Sequence, residues 1–265
     1  QNQVNTRAEA QFDREAARVV EQIVERLRKY EDALWSGAAA IRSHGGAIGH
    51  SDWRIFSENL RIEQVYPGIN GIGVIEQVSL KHLPDYIEQQ NSSRGAFSVH
   101  PAHDKPESLP IVYIEPELPN QAALGLDMAH EANRYEAAVK ARDSGLAQIT
   151  GPIFLVQDEG RTPGFLFYAP YYRKDTLPTP YSRAKGFIGM VYAPFVVQRL
   201  IAGTLDREKR NVGIRIFDGQ QPIYDSEESA ELSPRHFERK SLELYGRTWD
   251  IDIWSTKEFR RATES

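Results

Sequence analysis

The sequence predicts an α+β fold, a long N-terminal stalk helix followed by two tandem units with antiparallel sheets. Three observations point there. An apolar repeat at alternating steps of three and four runs through the first forty-odd residues. Strand texture with tight turns follows from Pro67 onward. The strands and helices then lack the regular alternation of a parallel fold.

The long helix comes first. Phe12, Ala16, Val19, Ile23, Leu27, Tyr30, Leu34, Ala38 and Ile41 lie on one face, and Asp13, Glu21, Glu25, Arg26 and Arg28 fill the others. From residue 6 to 44 such a helix reaches roughly 55 Å at 1.5 Å per residue. That exceeds ordinary globular helices and fits a coiled-coil arm or a stalk. Gly45-Gly46 ends it. Ser51 or Asp52 is expected to cap a short helix with Trp53, Phe56 and Leu60 inward.

Beyond Pro67, residues 69–78 read as a glycine-interrupted strand, 82–90 as a helix, and 97–99 and 111–114 as strands. A helix is expected over 130–144, stopped by Gly145, then strands over 147–156 and 165–172. The polar stretch 173–183, with Pro178 and Pro180, is the expected unit boundary. After it come a strand at 186–192, a helix at 194–202 and a strand at 212–217. Asp218-Gly219 turns towards 222–224, and a last hairpin pairs 237–244 with 248–254. Trp249, Ile251 and Ile253 there alternate with Asp250 and Asp252, one face buried and one wet. The divisions expected are therefore 1–65, 66–175 and 176–265.

Composition narrows the function classes. A net charge of −5 leaves no basic footprint for nucleic acid. The clusters at 26–29 and 207–210 read as solvated helix faces. Without cysteine there is no disulfide, thiolate catalysis or Cys-based metal site. No apolar run is long enough to span a bilayer. The chain begins at Gln1 and reads as a segment of something longer.

Motifs for catalysis are missing. The seven histidines never fall into metalloprotease spacing. His100 and His103, in H-P-A-H, have only Asp104 and Glu107 nearby and read as a solvated loop. The glycines at 68–73 are followed by more strand rather than a helix, so they serve turns or close packing, not a dinucleotide. Glu227 and Glu228 lie in polar surroundings that separate no pKa values. No catalytic residue, metal or cofactor is expected. Aromatics are more telling. Strand alternation sends Phe165, Phe167 and Tyr171 to one face and Leu166, Tyr168 and Tyr172 to the other. One face is expected to meet a helix and the other to line a small-molecule cavity, with Tyr113 and Tyr135 nearby.

The ordered motifs Y-P-G-I-N-G-I-G-V (66–74), L-G-L-D-M (124–128), A-V-K-A-R-D-S-G (138–145), I-T-G-P-I-F-L-V-Q (149–157), G-F-L-F-Y-A-P-Y-Y (164–172) and K-G-F-I-G-M-V-Y (185–192) resemble the CHASE sensor family. The resemblance implies PAS-like units and a ligand in the membrane-distal one. It implies a periplasmic portion of an inner-membrane receptor, held between transmembrane helices absent from this segment. The cytoplasmic output would be a histidine kinase or cyclase. A homodimer through the long helix is the expected assembly.

Plant members of the family bind cytokinins, and their pocket positions map onto this chain. Thr150 matches a pocket threonine, Met128 a methionine, and Val156 a leucine whose backbone meets the hormone. Tyr168 stands where those receptors carry a small threonine. Asn133 is the nearest counterpart of the aspartate that grips the purine, and Tyr135 completes the expected site. The bulk of Tyr168 argues against cytokinin and for a smaller or differently shaped ligand. The competing functions are a protein-interaction or dimerisation module without a ligand, and a metal enzyme built on His100 and His103.

Overall fold

The computed structural model describes residues 1–155, 162–205, 211–226 and 234–264. In chain order the helices and strands begin with α1 (Asn2–Ser43), α2 (His50–Leu60), α3 (Ile62–Val65), β1 (Ile72–Glu76), β2 (Val78–Ser79) and α4 (Leu83–Arg94). Then come β3 (Glu107–Ser108), β4 (Ile111–Glu115), α5 (Ala132–Ser144), β5 (Gln148–Ile149), β6 (Ile153–Phe154), β7 (Pro163–Tyr172), α6 (Pro180–Gly186) and β8 (Phe187–Val196). The chain continues through α7 (Val197–Thr204), β9 (Val212–Asp218), β10 (Gln221–Asp225), β11 (Phe237–Leu244), β12 (Arg247–Ser255) and α8 (Lys257–Glu264). The long helix followed by antiparallel sheets is the α+β class expected.

Every residue of the apolar stripe on α1 is buried, from Phe12 to Ile41. Its cover comes from this chain: α1 packs on β7, β8, β12, α7 and α8. The stripe that reads as a coiled-coil seam is thus occupied by the chain's own sheets. At 42 residues the helix runs about 63 Å, a spine that both sheets share. Gly45 and Gly46 end it with φ of 79° and 94°. That left-handed backbone suits glycine because it has no Cβ to clash. Next, α2 begins at His50 behind Gly49 and has no side-chain cap, contrary to the Ser51 or Asp52 expected. Trp53 fixes it instead, buried and donating Nε1–H to the Ile72 carbonyl at 3.2 Å.

The first sheet runs β4-β1-β8-β7-β5, with β6 added beside β7. All its pairings are antiparallel. The second runs β10-β9-β12-β11, and β2 with β3 forms a separate short ribbon. The stretch 173–183 therefore does not divide the sheets. Strand β8 lies in the middle of the first sheet, between β1 and β7, so the change of sheet falls after Val196. The Pro-rich segment is a long hairpin connection, closed by Arg173 N–H to Gly186 O at 2.7 Å, with Thr179 capping α6.

Other expectations shift by a few residues. Among the described residues the segment 97–99 joins no ladder, and His100 just after it bridges to Leu126. Strand β8 continues to Val196, so the next helix starts at Val197 and not 194. The final hairpin forms as expected, turning at Tyr245 and Gly246 with φ of 50° and 83°, the geometry of a two-residue primed turn. On β12, Trp249, Ile251 and Ile253 are buried. Asp252 is buried too rather than wet, because Arg239 closes over it with hydrogen bonds of 2.6 and 2.9 Å. Helix α8 was not foreseen. It docks through Phe259, edge-on to Phe12 with centroids 6.0 Å apart.

Candidate functional site

The alternation on β7 divides as its sequence predicts. Phe165, Phe167, Ala169 and Tyr171 join α1 and the second sheet in one core, and Leu166, Tyr168 and Tyr172 join another. This second core is covered by α5. Its Ala137, Ala138 and Ala141 are small enough for the helix to lie close on Leu166, Tyr168, Met190 and Tyr192. Glu131 caps α5 by accepting from the N–H groups of Asn133 and Arg134 at 2.8 and 3.0 Å. A carboxylate at a helix N-terminus is also favoured by the dipole.

The expected site residues fall on and around this face. Met128 is fully buried within it, as is Tyr168, whose hydroxyl donates to the Arg134 carbonyl at 3.2 Å. Tyr135 packs at its rim, with its hydroxyl on Glu107 and Lys105 Nζ 5.3 Å from its ring. Burial and that carboxylate push its phenol up to about 12. Asn133 and Thr150 hold the adjoining loop. The Asn133 amide accepts from Gly151 N–H at 2.7 Å and donates to Pro152 O at 3.2 Å. Thr150 exchanges two 3.0 Å hydrogen bonds with the Leu166 backbone, one through its hydroxyl. Val156 and the end of the 147–156 strand, like Glu227 and Glu228, lie outside the described residues.

Three residues that the sequence reading missed complete the face: Glu131, Arg134 and Tyr192. Tyr192 stands directly across from Tyr168 in the β7–β8 register. Its ring lies over Gly73, where any Cβ would come within 2.5 Å of it. Among the described residues, both the Tyr192 hydroxyl and Arg134 Nε are buried without a hydrogen-bond partner. Burial raises both phenols, and the neighbouring Tyr168 adds to the rise at Tyr192. Tyr192 thus faces Tyr168 across the β7–β8 ladder, and Arg134, whose carbonyl Tyr168 meets, turns its guanidinium to Glu131. Each buried polar group costs about 1–3 kcal/mol as long as it stays unpaired.

The histidines of H-P-A-H do other work. The His103 side chain is 7% exposed rather than solvated, with Nε2 2.6 Å from Asp127 Oδ2. The same carboxylate accepts from the Leu109 and Ala129 N–H groups at 2.7 and 3.0 Å. Asp127 therefore braces a loop, and His103 is part of the brace. His100 turns away, its Nε2 3.2 Å from the Leu124 carbonyl.

A family model described as CHASE domain matches residues 46–231. The chain belongs to the CHASE domain family. CHASE domains are extracellular sensory domains of signalling receptors and are not catalysts. The matched span takes in α2, the whole first sheet and the β9–β10 hairpin, while α1 precedes it. No curated protein matches the chain. Among the described residues, no helix is long and apolar enough to cross a membrane.

In this CHASE domain the α5 face connects to the rest of the molecule through residues 149–151. Ile149 N–H donates to the Tyr245 carbonyl at 2.9 Å, and Phe167 packs on the Tyr245 ring with centroids 4.6 Å apart. The Tyr245 hydroxyl donates to Glu31 on α1 at 2.9 Å. Gly151 sits between Asn133 and Arg247, each so near that a Cβ would crowd it. Arg247 is in turn held by Asp218, which also accepts from Trp249 Nε1 at 3.1 Å.

Proposed function

We propose that this CHASE domain binds a small molecule at the α5 face of its first sheet and passes the change to α1 and the second sheet. In this reading it is the periplasmic part of an inner-membrane receptor whose cytoplasmic output is a kinase or cyclase. The observation that carries the reading is a pair of buried groups, unpaired among the described residues, on the two neighbours of Tyr168: the Tyr192 hydroxyl and Arg134 Nε. A ligand atom that satisfied them would recover their desolvation cost, a strong incentive in an apolar site. Tyr168 fills the middle of the face, so the ligand is compact and polar at one end rather than a purine. A ligand can act only by preferring one of two arrangements. The Asn133, Gly151, Tyr245 and Glu31 contacts are the ones such a shift would alter.

Thermal-shift screening of a metabolite library, together with native mass spectrometry of the purified protein, tests this. A compound that raises the melting temperature of the wild type should raise that of Tyr192→Phe far less. If every active compound stabilises both proteins equally, the site lies elsewhere.

The alternative, an interaction module without a ligand, rests on Leu146, Leu177 and Tyr181, large apolar side chains exposed around the α5–α6 corner. Pairing of two copies along α1 belongs to the same reading. It would use the faces that the sheets leave uncovered, and sedimentation of the purified segment would reveal it.

A further inference from the structure

Away from the α5 face, the first turn of α2 meets the end of edge strand β4. His50 Nε2 lies 3.4 Å from Glu115 Oε1 and 3.2 Å from Glu117 Oε2. The three donor atoms all lie within 4.8 Å of one another. The ring of His50 is stacked flat on Tyr113, centroids 5.3 Å apart and planes 3° apart, which fixes the direction of Nε2. Glu115 is the last residue of β4, in register with Ile72. Asn120 secures Pro116, between the two glutamates, by donating to its carbonyl at 2.7 Å. All three donors are therefore placed by elements that are themselves tied down.

The distances distinguish two chemistries. A direct hydrogen bond between an imidazole nitrogen and a carboxylate closes to about 2.9–3.0 Å, and His103 with Asp127 is shorter still at 2.6 Å in this same molecule. Neither His50 contact closes in that way. An N and an O bound to one tetrahedral zinc, at about 2.0–2.1 Å each, stand about 3.3 Å apart. Both separations at His50 match that edge. Imidazole and carboxylate are both zinc donors, and three protein ligands leave a fourth position for water. Magnesium and calcium prefer oxygen alone.

Arg54, four residues after His50 on the same face of α2, supplies positive charge to the same oxygens. Its Nε is 3.4 Å from Glu115 Oε1 and its Nη2 3.6 Å from Glu117 Oε2. The side chain is half exposed, so it can swing into solvent when a cation takes its place. We propose that His50, Glu115 and Glu117 form a site for a zinc-class divalent cation, with Arg54 as the competing positive charge. Occupancy would join α2, and through it the end of α1, to the edge of the first sheet. The proposal does not depend on the ligand reading above.

The test is calorimetric titration of the purified, chelator-stripped protein with zinc chloride. One zinc per chain is expected, with affinity reduced about tenfold or more in both His50→Ala and Glu117→Gln. Arg54→Ala should bind more tightly than the wild type, a result that a purely structural ion-pair network would not give. His82→Ala, at a surface histidine elsewhere, should titrate like the wild type. Circular dichroism establishes that each variant is folded, and Glu117→Gln, which keeps the side chain's shape, guards against misfolding of the alanine variant. Absence of zinc binding by the wild type, or binding that survives both His50→Ala and Glu117→Gln, overturns the proposal.

Discussion

The hydroxyl of Tyr168 reaches the Arg134 carbonyl at 3.2 Å, and its ring is wholly enclosed by β8 and α5. These two parts of the side chain can be separated. Tyr168→Phe keeps the ring and removes one neutral hydrogen bond to a carbonyl already inside a helix, a loss of about 1 kcal/mol. Tyr168→Thr empties most of the ring volume and brings in a hydroxyl of its own, a loss of about 3–5 kcal/mol. Urea unfolding at equilibrium reads both. If the threonine variant loses no more than the phenylalanine variant, the face collapses around the deletion and the packing argument against a purine fails. Tyr192→Phe is the opposite case. Among the described residues its hydroxyl has no partner to lose, so unfolding should show that variant to be as stable as the wild type or slightly more so.

Gly37 shows how tightly the spine is seated. A Cβ there would meet Trp53 of α2 and Val191 of β8, each at 3.0 Å. In an exposed helix, replacing glycine by alanine gains about 1 kcal/mol, and at Gly37 the crowding opposes that gain. Gly37→Leu has no such balance and should cost about 2–3 kcal/mol as α1 is pushed off the sheet. A thermal melt unchanged from the wild type would mean that α1 can slide. Features of this kind decide what could be read from the sequence. The α1 stripe, the two faces of β7 and the β11–β12 hairpin were legible because each is written in local periodicity. The place of β8 was not, since its pairing with β1 depends on segments more than a hundred residues apart. Helix α8 escaped because Phe259 is its one large apolar residue. On and around the α5 face, Met128, Thr150 and Tyr168 were singled out through motif order as expected site residues. Tyr192 and Arg134 were not, because no spacing marks a polar atom that folding will bury unpaired.

Phenols run through the whole molecule at its joints. Tyr30 on α1 donates to Pro67 O, Tyr245 ties the last hairpin to α1, and Tyr172 reaches the Arg142 carbonyl near the end of α5 at 2.6 Å. Tyr86 bridges α4 to Glu76 on β1 at 3.0 Å. Burial raises the pKa of each of these, and of Tyr113, Tyr135, Tyr168, Tyr171 and Tyr192. The sign of the consequence is fixed. A group whose pKa is higher in the fold than in the unfolded chain favours the fold while both states are protonated. Above the ordinary tyrosine value of about 10, the unfolded chain releases protons that the fold retains, so stability falls with rising pH. The loss should begin near pH 10 and continue through about 12, where Tyr135 and Tyr172 titrate. Unfolding curves collected across that range should show a falling midpoint. Most of the phenolate absorbance should arrive together with loss of the helical circular-dichroism signal, since the buried phenols ionise by unfolding. Complete phenolate titration near pH 10 with the helical signal intact would mean that these side chains are open to water, and that the joints they make between α1 and the sheets are not the ones holding the molecule together.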